Sequence, residues 1–419
     1  VSTDSQTKIQ ALKSSVKCFY EIVARLDTAE NCATGTPSGG TGNTVQIRFG
    51  FMPYATNVNV GKLLPTAFFA DSWKYQTRRA TGGTSWGSWT EDSYYWTNYS
   101  TPCNPAAANT ATRENRVNKY QSGWNYYCYY EYRLKLPEWE YNKLPVNVGL
   151  LKNGTLWRNS FDWPIANDAT NRTINWDGCI EERETVSRTS YSPIPAAAKD
   201  LDIDLVPSSG DATTQWGPAL PQLIYARDRT SSWDQLDLNP ATVTTNYYNN
   251  VPYYCPREAK KLQPWPTASD FETYVNDLTP DGNTYHDIGL LWGARFISPT
   301  GIFKSENEYT AQGGEIERHL IFMTDGEACT NTTDYGPYGF PWLDRRTTDP
   351  SQVPTSGCLT TGTITQQVNA RTAAICTAVK NKNITLWVIW FGASNTTNEG
   401  MLNTCATPGR FFTARNSTD

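Results

Sequence analysis

Apolar positions change their spacing twice along this chain. At the start Ile9, Leu12, Val16, Phe19, Val23 and Leu26 recur at three and four residues, the single stripe of an amphipathic helix over 7–26. Residues 33–44, rich in Gly, Thr, Ser and Pro, read as a loop. Residues 45–51 alternate as a strand does, and Val58 to Val60 suggest a second short one. From about 64 to 266 no helical period survives. Trp73, Trp86, Trp89, Tyr94, Tyr95 and Trp96 cluster there, and Trp124, Tyr126, Tyr127, Tyr129, Tyr130 and Tyr132 surround Cys128 as in a β-ribbon. Residues 192–222 are Pro-rich and read as irregular.

After 266 regular spacing returns. Phe271, Tyr274 and Leu278 fall on one side of a short helix, and Ile288, Leu291, Trp292 and Phe296 mark another. Residues 320–324 and 384–391 are unbroken apolar runs, the pattern of strands buried on both faces of a parallel sheet. Between them Ile364, Val368, Ala373, Ile375, Cys376 and Val379 place a helix. A short helix near 399–405 and a strand at 410–414 follow. Strands alternating with helices predict parallel pairing through right-handed crossovers.

Composition narrows the function classes. The chain, 419 residues, is longer than one ordinary domain. Its 36 Lys and Arg against 41 Asp and Glu form no basic block, so no nucleic-acid partner is expected. No apolar run reaches the ~18–20 residues that span a bilayer. The 10 cysteines include no Cys-x-x-Cys pair and read as a disulfide framework, hence periplasm or cell exterior. Cys329 and Cys358 bracket one loop and are expected to pair, worth ~3–4 kcal/mol by chain entropy.

Candidate chemistry is sparse. His286 and Asp287 adjoin, but no Gly-x-Ser-x-Gly or Cys–His arrangement supports a hydrolase, so an enzyme is not expected. Asp200, Asp202 and Asp204 lack the Gly and Glu of a calcium loop and read as a solvated edge. Trp86, Trp89 and Trp96, separated by Gly and Ser, are candidate ligand contacts, with the filling of a small core as the alternative. Asp325 ends the strand 320–324, where open α/β sheets place ligands, and Thr284 stands at a helix start. Both offer the oxygen that Mg²⁺ prefers. The plainer reading is a Thr helix cap and an Asp-Gly turn.

Gly282-Asn283-Thr284 before a helix, then an apolar strand ending in Thr324-Asp325-Gly326, resembles the von Willebrand factor A-domain family. The stretches 284–303 and 176–183 (Trp-Asp-Gly-Cys-Ile-Glu-Glu-Arg) are similar to TadG-like proteins of bacterial tight-adherence pilus systems. The resemblance implies an α/β, doubly wound Rossmann-like A domain interrupted by a large β-rich, disulfide-stapled insertion. Its first part would be 1–63, the aromatic-rich lobe 64–266 and its second part 267–419, with 45–51 and 320–324 in one sheet. It also implies a metal-ion-dependent adhesion site in which Thr284 and Asp325 hold Mg²⁺. The Asp-x-Ser-x-Ser loop that completes such a site is expected upstream of Val1, together with the first strand and a membrane anchor. The function implied is non-enzymatic, in pilus assembly or surface adhesion, with other pilus or cell-surface proteins and glycan as partners. A filament subunit that uses the fold without metal is the alternative, and a periplasmic enzyme ranks third.

Overall fold

The computed structural model describes residues 7–24, 47–227 and 247–414. In chain order its main elements are α1 (Lys8–Val23), β1 (Phe49–Phe51), β2 (Ser72–Trp86), β3 (Thr90–Thr97), β4 (Arg113–Ser122), β5 (Asn125–Asn147) and β6 (Lys260–Gln263). They continue with α2 (Ala268–Asn276), α3 (His286–Ile297), β7 (His319–Thr324), α4 (Thr363–Asn381), β8 (Thr385–Phe391), α5 (Thr396–Cys405) and β9 (Phe411–Ala414). Helix α1 begins where it does because Thr7 and Gln10 form a capping box, each side chain taking the other's backbone N–H.

Two cores result. In the smaller, Tyr20 of α1 stacks on Phe271 of α2 at 4.0 Å, and Phe49, Phe51, Trp265 and Tyr274 pack around them. The larger is one continuous cluster running from Val58 to Ala406, so residues before and after 266 bury side chains together. Helix α3 lies at its centre, with all 12 residues buried. Gly289 is required there, because a Cβ would stand 2.3 Å from the Tyr54 ring.

Strands β7, β8 and β9 form a three-stranded parallel sheet in that order, with α4 and α5 as the connections. This local alternation agrees with the apolar pattern. The doubly wound A-domain fold does not form. Every other sheet among the described residues is antiparallel, six of them two-stranded and one four-stranded. Strand β1 pairs with β6, so 49–51 and 320–324 lie in different sheets. The described part of the expected strand 45–51 follows its aromatic side chains instead: Phe49 and Phe51 reach Phe271 in the smaller core.

The parallel sheet is also buried on one side only. Leu386, Val388 and Trp390 are buried, whereas Ile321, Met323, Trp387 and Ile389 on the other face are half-buried and Phe412 is exposed. The run 384–391 reads as buried on both faces because Trp and Ile look like core residues. Trp387 is in fact stacked on Phe412 under the Arg410 guanidinium, near the surface. Val58 and Asn59 make only isolated bridges, not the expected second strand.

Candidate functional site

The first candidate is the carboxyl end of β7. His286 Nε2 meets Thr324 Oγ1 at 3.1 Å, so the start of α3 touches the end of β7 and carries Thr284 and Asp325 to the same end of the sheet. Thr284 does not cap α3, whose N-cap is Tyr285. Its backbone pairs in both directions with Cys329, at 3.0 and 3.1 Å. The Asp325 side chain is 59% exposed and faces an ammonium: Lys8 Nζ is 3.8 Å from Oδ2 and donates to the Asp325 carbonyl at 2.7 Å. Mg²⁺ demands near-octahedral oxygen ligands. One hydroxyl and one solvated carboxylate already beside a lysine do not fit that demand.

Among the described residues two other clusters bring a carboxylate near sulfur, Asp177 with Cys179 and Cys255, and Glu327 with Cys329 and Cys358. Their cysteines are joined as Cys179–Cys255 and Cys329–Cys358, so they offer no thiolate. The second of these bridges is the one the sequence predicts. Cys103–Cys128 and Cys376–Cys405 are also formed, and no described cysteine is free. The Thr324 hydroxyl lies within reach of His286, but both residues are buried and the hydroxyl also bonds Gly326 O at 3.0 Å. Burial pushes the His286 imidazole down to about 4.

The segment 176–183 proves to be a structural hub. Trp176 Nε1 donates to Cys179 O at 2.7 Å, and Gly178 takes φ +112° where a Cβ would strike Asn59 Oδ1. Glu181 accepts from Tyr335 Oη at 2.6 Å and Trp73 Nε1 at 2.8 Å. Burial and the Asp344 carboxylate push it up to about 7. Glu182 accepts from Trp292 at 2.6 Å, Trp216 at 3.0 Å and both terminal nitrogens of Arg295 at 2.7 and 3.3 Å. Arg371 of α4 donates to both Asp287 and Asp200, and the Tyr338 hydroxyl accepts from Arg371 and donates to Asp200. Burial pulls the Asp200 carboxyl up, but Arg371, Thr185 and Tyr338 together bring it below its ordinary value. The run Asp200, Asp202 and Asp204 is therefore not a solvated edge: Asp200 is sealed and Asp204 is held by Lys382, Ser298 and Thr300, leaving only Asp202 exposed. These charges pair with each other and present nothing to a ligand.

The remaining candidate is a projecting β-arm. Strand β5 has 23 residues, roughly 75 Å at the usual rise. Its second half pairs with β2 and reaches the core through Tyr141, Leu144 and Val146. Its first half is flanked by β3 and β4 and leaves the core behind. Within β3, β4 and residues 125–134, only Thr97 and Cys128 are buried.

Directly opposed residues of antiparallel strands share a face. The register therefore puts Tyr94, Asn118 and Tyr129 on the same face as Trp96, Tyr120 and Tyr127. Tyr95, Cys128 and Lys119 point the other way with Thr97, Tyr126 and Gln121. The chain 98–112 covers that second face. It is stapled by Cys103–Cys128, Asn104 bonds both Tyr95 Oη (2.9 Å) and Tyr130 Oη (3.0 Å), and Lys119 Nζ donates to the carbonyls of Tyr99 and Thr101 at 2.9 and 2.7 Å.

Nothing among the described residues covers the first face. Tyr94, Trp96 and Tyr120 are 57%, 62% and 50% exposed. Tyr94 stacks on Tyr129 at 5.2 Å, and Tyr120 meets Tyr129 edge-on at 5.5 Å, so the rings hold one another in place. At the tip Gly123, at φ +63°, and Trp124 form a two-residue turn, and Trp124 is 98% exposed.

The three tryptophans singled out from sequence separate here. Trp96 belongs to the open ladder. Trp86 and Trp89 are half-buried below it, with the Arg116 guanidinium 4.0 Å from the Trp89 ring and Arg133 4.8 and 5.4 Å from Trp89 and Trp86. The sequence pattern does not single out Tyr94, Tyr120 and Trp124 as contacts. The signal available was the alternation around Cys128, which marks two faces, and the Gly-Trp pair between Tyr-rich runs, which marks a hairpin. Comparison with protein-family models, with curated proteins and with solved structures finds nothing that matches this chain.

Proposed function

We propose that this chain is a non-enzymatic protein of the periplasm or cell exterior, acting in surface adhesion or pilus assembly, and that the aromatic arm is its contact surface. The observation that carries this reading is the asymmetry of the arm. Its own loop and disulfide seal one face, while the other holds exposed, mutually packed aromatic rings on a rigid sheet. A folded chain gains nothing in stability from projecting such a face into water. Rigid aromatics lose little entropy on binding, which suits a contact surface. The disulfides favour an oxidising compartment. The buried His286–Thr324 contact gives a substrate no entry, which favours a binding role over catalysis. The pilus setting rests on the resemblance of 284–303 and 176–183 to TadG-like proteins. The Lys8 ammonium beside Asp325 disfavours a metal-assisted mode of contact.

Deleting residues 88–133 and closing β2 onto β5 with a two-residue turn tests the reading, since no side chain of the large core comes from that segment. The shortened protein is expected to keep the thermal midpoint of the body and to lose attachment to surfaces that hold the full chain. Undiminished attachment by a folded, armless protein would end it.

A further inference from the structure

We infer that the open face of the arm binds an uncharged, extended glycan, a deeper claim that rests on the arm being the contact surface. The rings themselves carry no charge. The ladder of Tyr94, Trp96, Tyr120, Tyr127 and Tyr129 contains no ionisable amine or carboxylate. The nearest charges are already neutralised: Arg116 Nε bonds Glu131 Oε2 at 2.8 Å, Asn118 bonds the same oxygen at 2.5 Å, and Arg133 pairs with Glu114 at 2.6 Å. Lys119 faces the sealed side, its ammonium held by two carbonyls. Below the rings the same face carries the Arg116–Glu131 and Arg133–Glu114 ion pairs and the Glu91 carboxylate opposite Glu131, so an anionic ligand would find no free counter-charge on it.

The polar groups on offer are phenol hydroxyls and the amides of Asn118 and Asn125, the latter accepting from Trp96 Nε1 at 3.4 Å. These donate and accept without charge. A pyranose ring presents a C–H face to stack on an aromatic ring and hydroxyls at its edge to reach such groups. The ladder contains no aliphatic side chain, which leaves amphipathic rings alone to make the contact. A sheet face is flat rather than concave, so it fits a chain of sugars lying across it better than a terminal sugar held in a pocket.

A second copy of this chain is the competing occupant, and the edges of the arm oppose its simplest mode of entry. The register of β3 shifts between Glu91 and Ser93, which breaks that edge. On β4, Asn109 Oδ1 accepts the Asn115 N–H at 2.6 Å and the Thr110 N–H donates to Arg113 O at 2.8 Å, so the chain's own loop occupies part of that edge.

Native affinity electrophoresis of the full chain decides the matter, with hydroxyethylcellulose and glycol chitin as neutral polymers and polygalacturonate as the anionic control. At least one neutral polymer should retard the protein. Trp96→Ala and Tyr94→Ala should each weaken retardation by about tenfold. Phe412→Ala, an exposed aromatic outside the arm, should not. These substitutions sit on exposed positions, and circular dichroism checks the fold. No retardation by either neutral polymer, retardation by polygalacturonate alone, or full retardation of the Tyr94→Ala/Trp96→Ala double variant each overturns the inference. So does an arm-dependent dimer in light scattering that those two substitutions abolish. If the armless protein loses attachment while no neutral polymer retards the full chain, the glycan inference falls and the contact-surface reading stands.

Discussion

The arm and the buried hub use the same residue types for opposite ends. In the hub, Arg295 lies 4.6 Å from the Trp292 ring and pairs with Glu182, and both charged side chains are fully buried. In the arm, Arg116 lies 4.0 Å from the Trp89 ring and pairs with Glu131, and the two side chains are 39% and 19% exposed. Arg, Trp and Glu meet in similar geometry in both. Water on the far side of the arm's cluster makes the difference. A sealed charge is committed to its partner, because its desolvation is repaid nowhere else. A solvated one costs little to release. Residue identity and pairing therefore do not mark a contact surface; the uncovered face beside them does.

The largest expected effect lies in the hub. Glu182→Ala removes the acceptor of two indole N–H groups and leaves the Arg295 guanidinium sealed without its carboxylate. Breaking such a pair costs about 3–5 kcal/mol. Glu131→Ala in the arm should cost below about 1 kcal/mol, because water replaces the lost partner. Urea unfolding with the disulfides intact measures both. Equal losses would break the comparison, since burial would then not be what separates the two clusters.

A second effect, about 3 kcal/mol in each direction, comes from two buried groups that titrate oppositely. Burial and Asp344 raise Glu181 from 4.5 to about 7, so the native chain holds a proton that the unfolded chain has released. Its contribution is fully present below pH 4.5 and is lost as pH rises through about 7. Burial lowers His286 from 6.5 to about 4, so its contribution is present above pH 6.5 and is lost as pH falls through about 4. The two slopes oppose each other between about pH 4.5 and 6.5. Glu181→Gln should unmask a rise of stability with pH across that window, and His286→Asn a fall. Identical pH slopes in the wild type and Glu181→Gln would show that the hub carries no raised carboxyl.

Local periodicity carried much of the secondary structure. Helices α1, α3 and α4 and strands β7, β8 and β9 follow the spacing of their apolar residues, because each turn or pleat is set by near neighbours. Partners distant in sequence were not legible. Nothing local in Phe49 and Phe51 says that they join Phe271 rather than the parallel sheet, and nothing in Asp200 announces Arg371, 171 residues away. The aromatic region is plain in the sequence, but alternation alone does not tell which face of β5 the chain 98–112 covers. Cys329 and Cys358 were an exception, since a pair that brackets one loop is a local feature. The two short stretches that carry the family resemblance describe their own segments, and the sheet pairing of the rest decides the fold.

The smallest expected effect belongs to magnesium, at a place between the two extremes. The end of β7 is solvated like the arm, yet it borders buried α3. If Thr284 and Asp325 held Mg²⁺ in this chain, binding to the native state alone would raise stability by about 2.7 kcal/mol at a hundredfold excess over Kd. A site with Kd ~0.1 mM would show that gain in ~10 mM MgCl₂. The Lys8 ammonium beside Asp325 already supplies positive charge, and a dication would have to displace it. The urea midpoint of this chain should therefore be the same in MgCl₂ and in EDTA. Lys8→Ala should leave it unchanged in both, because the pair is exposed on both sides. A magnesium-dependent gain that Asp325→Ala abolishes would restore the metal site and place a second contact surface at the sheet end, away from the arm.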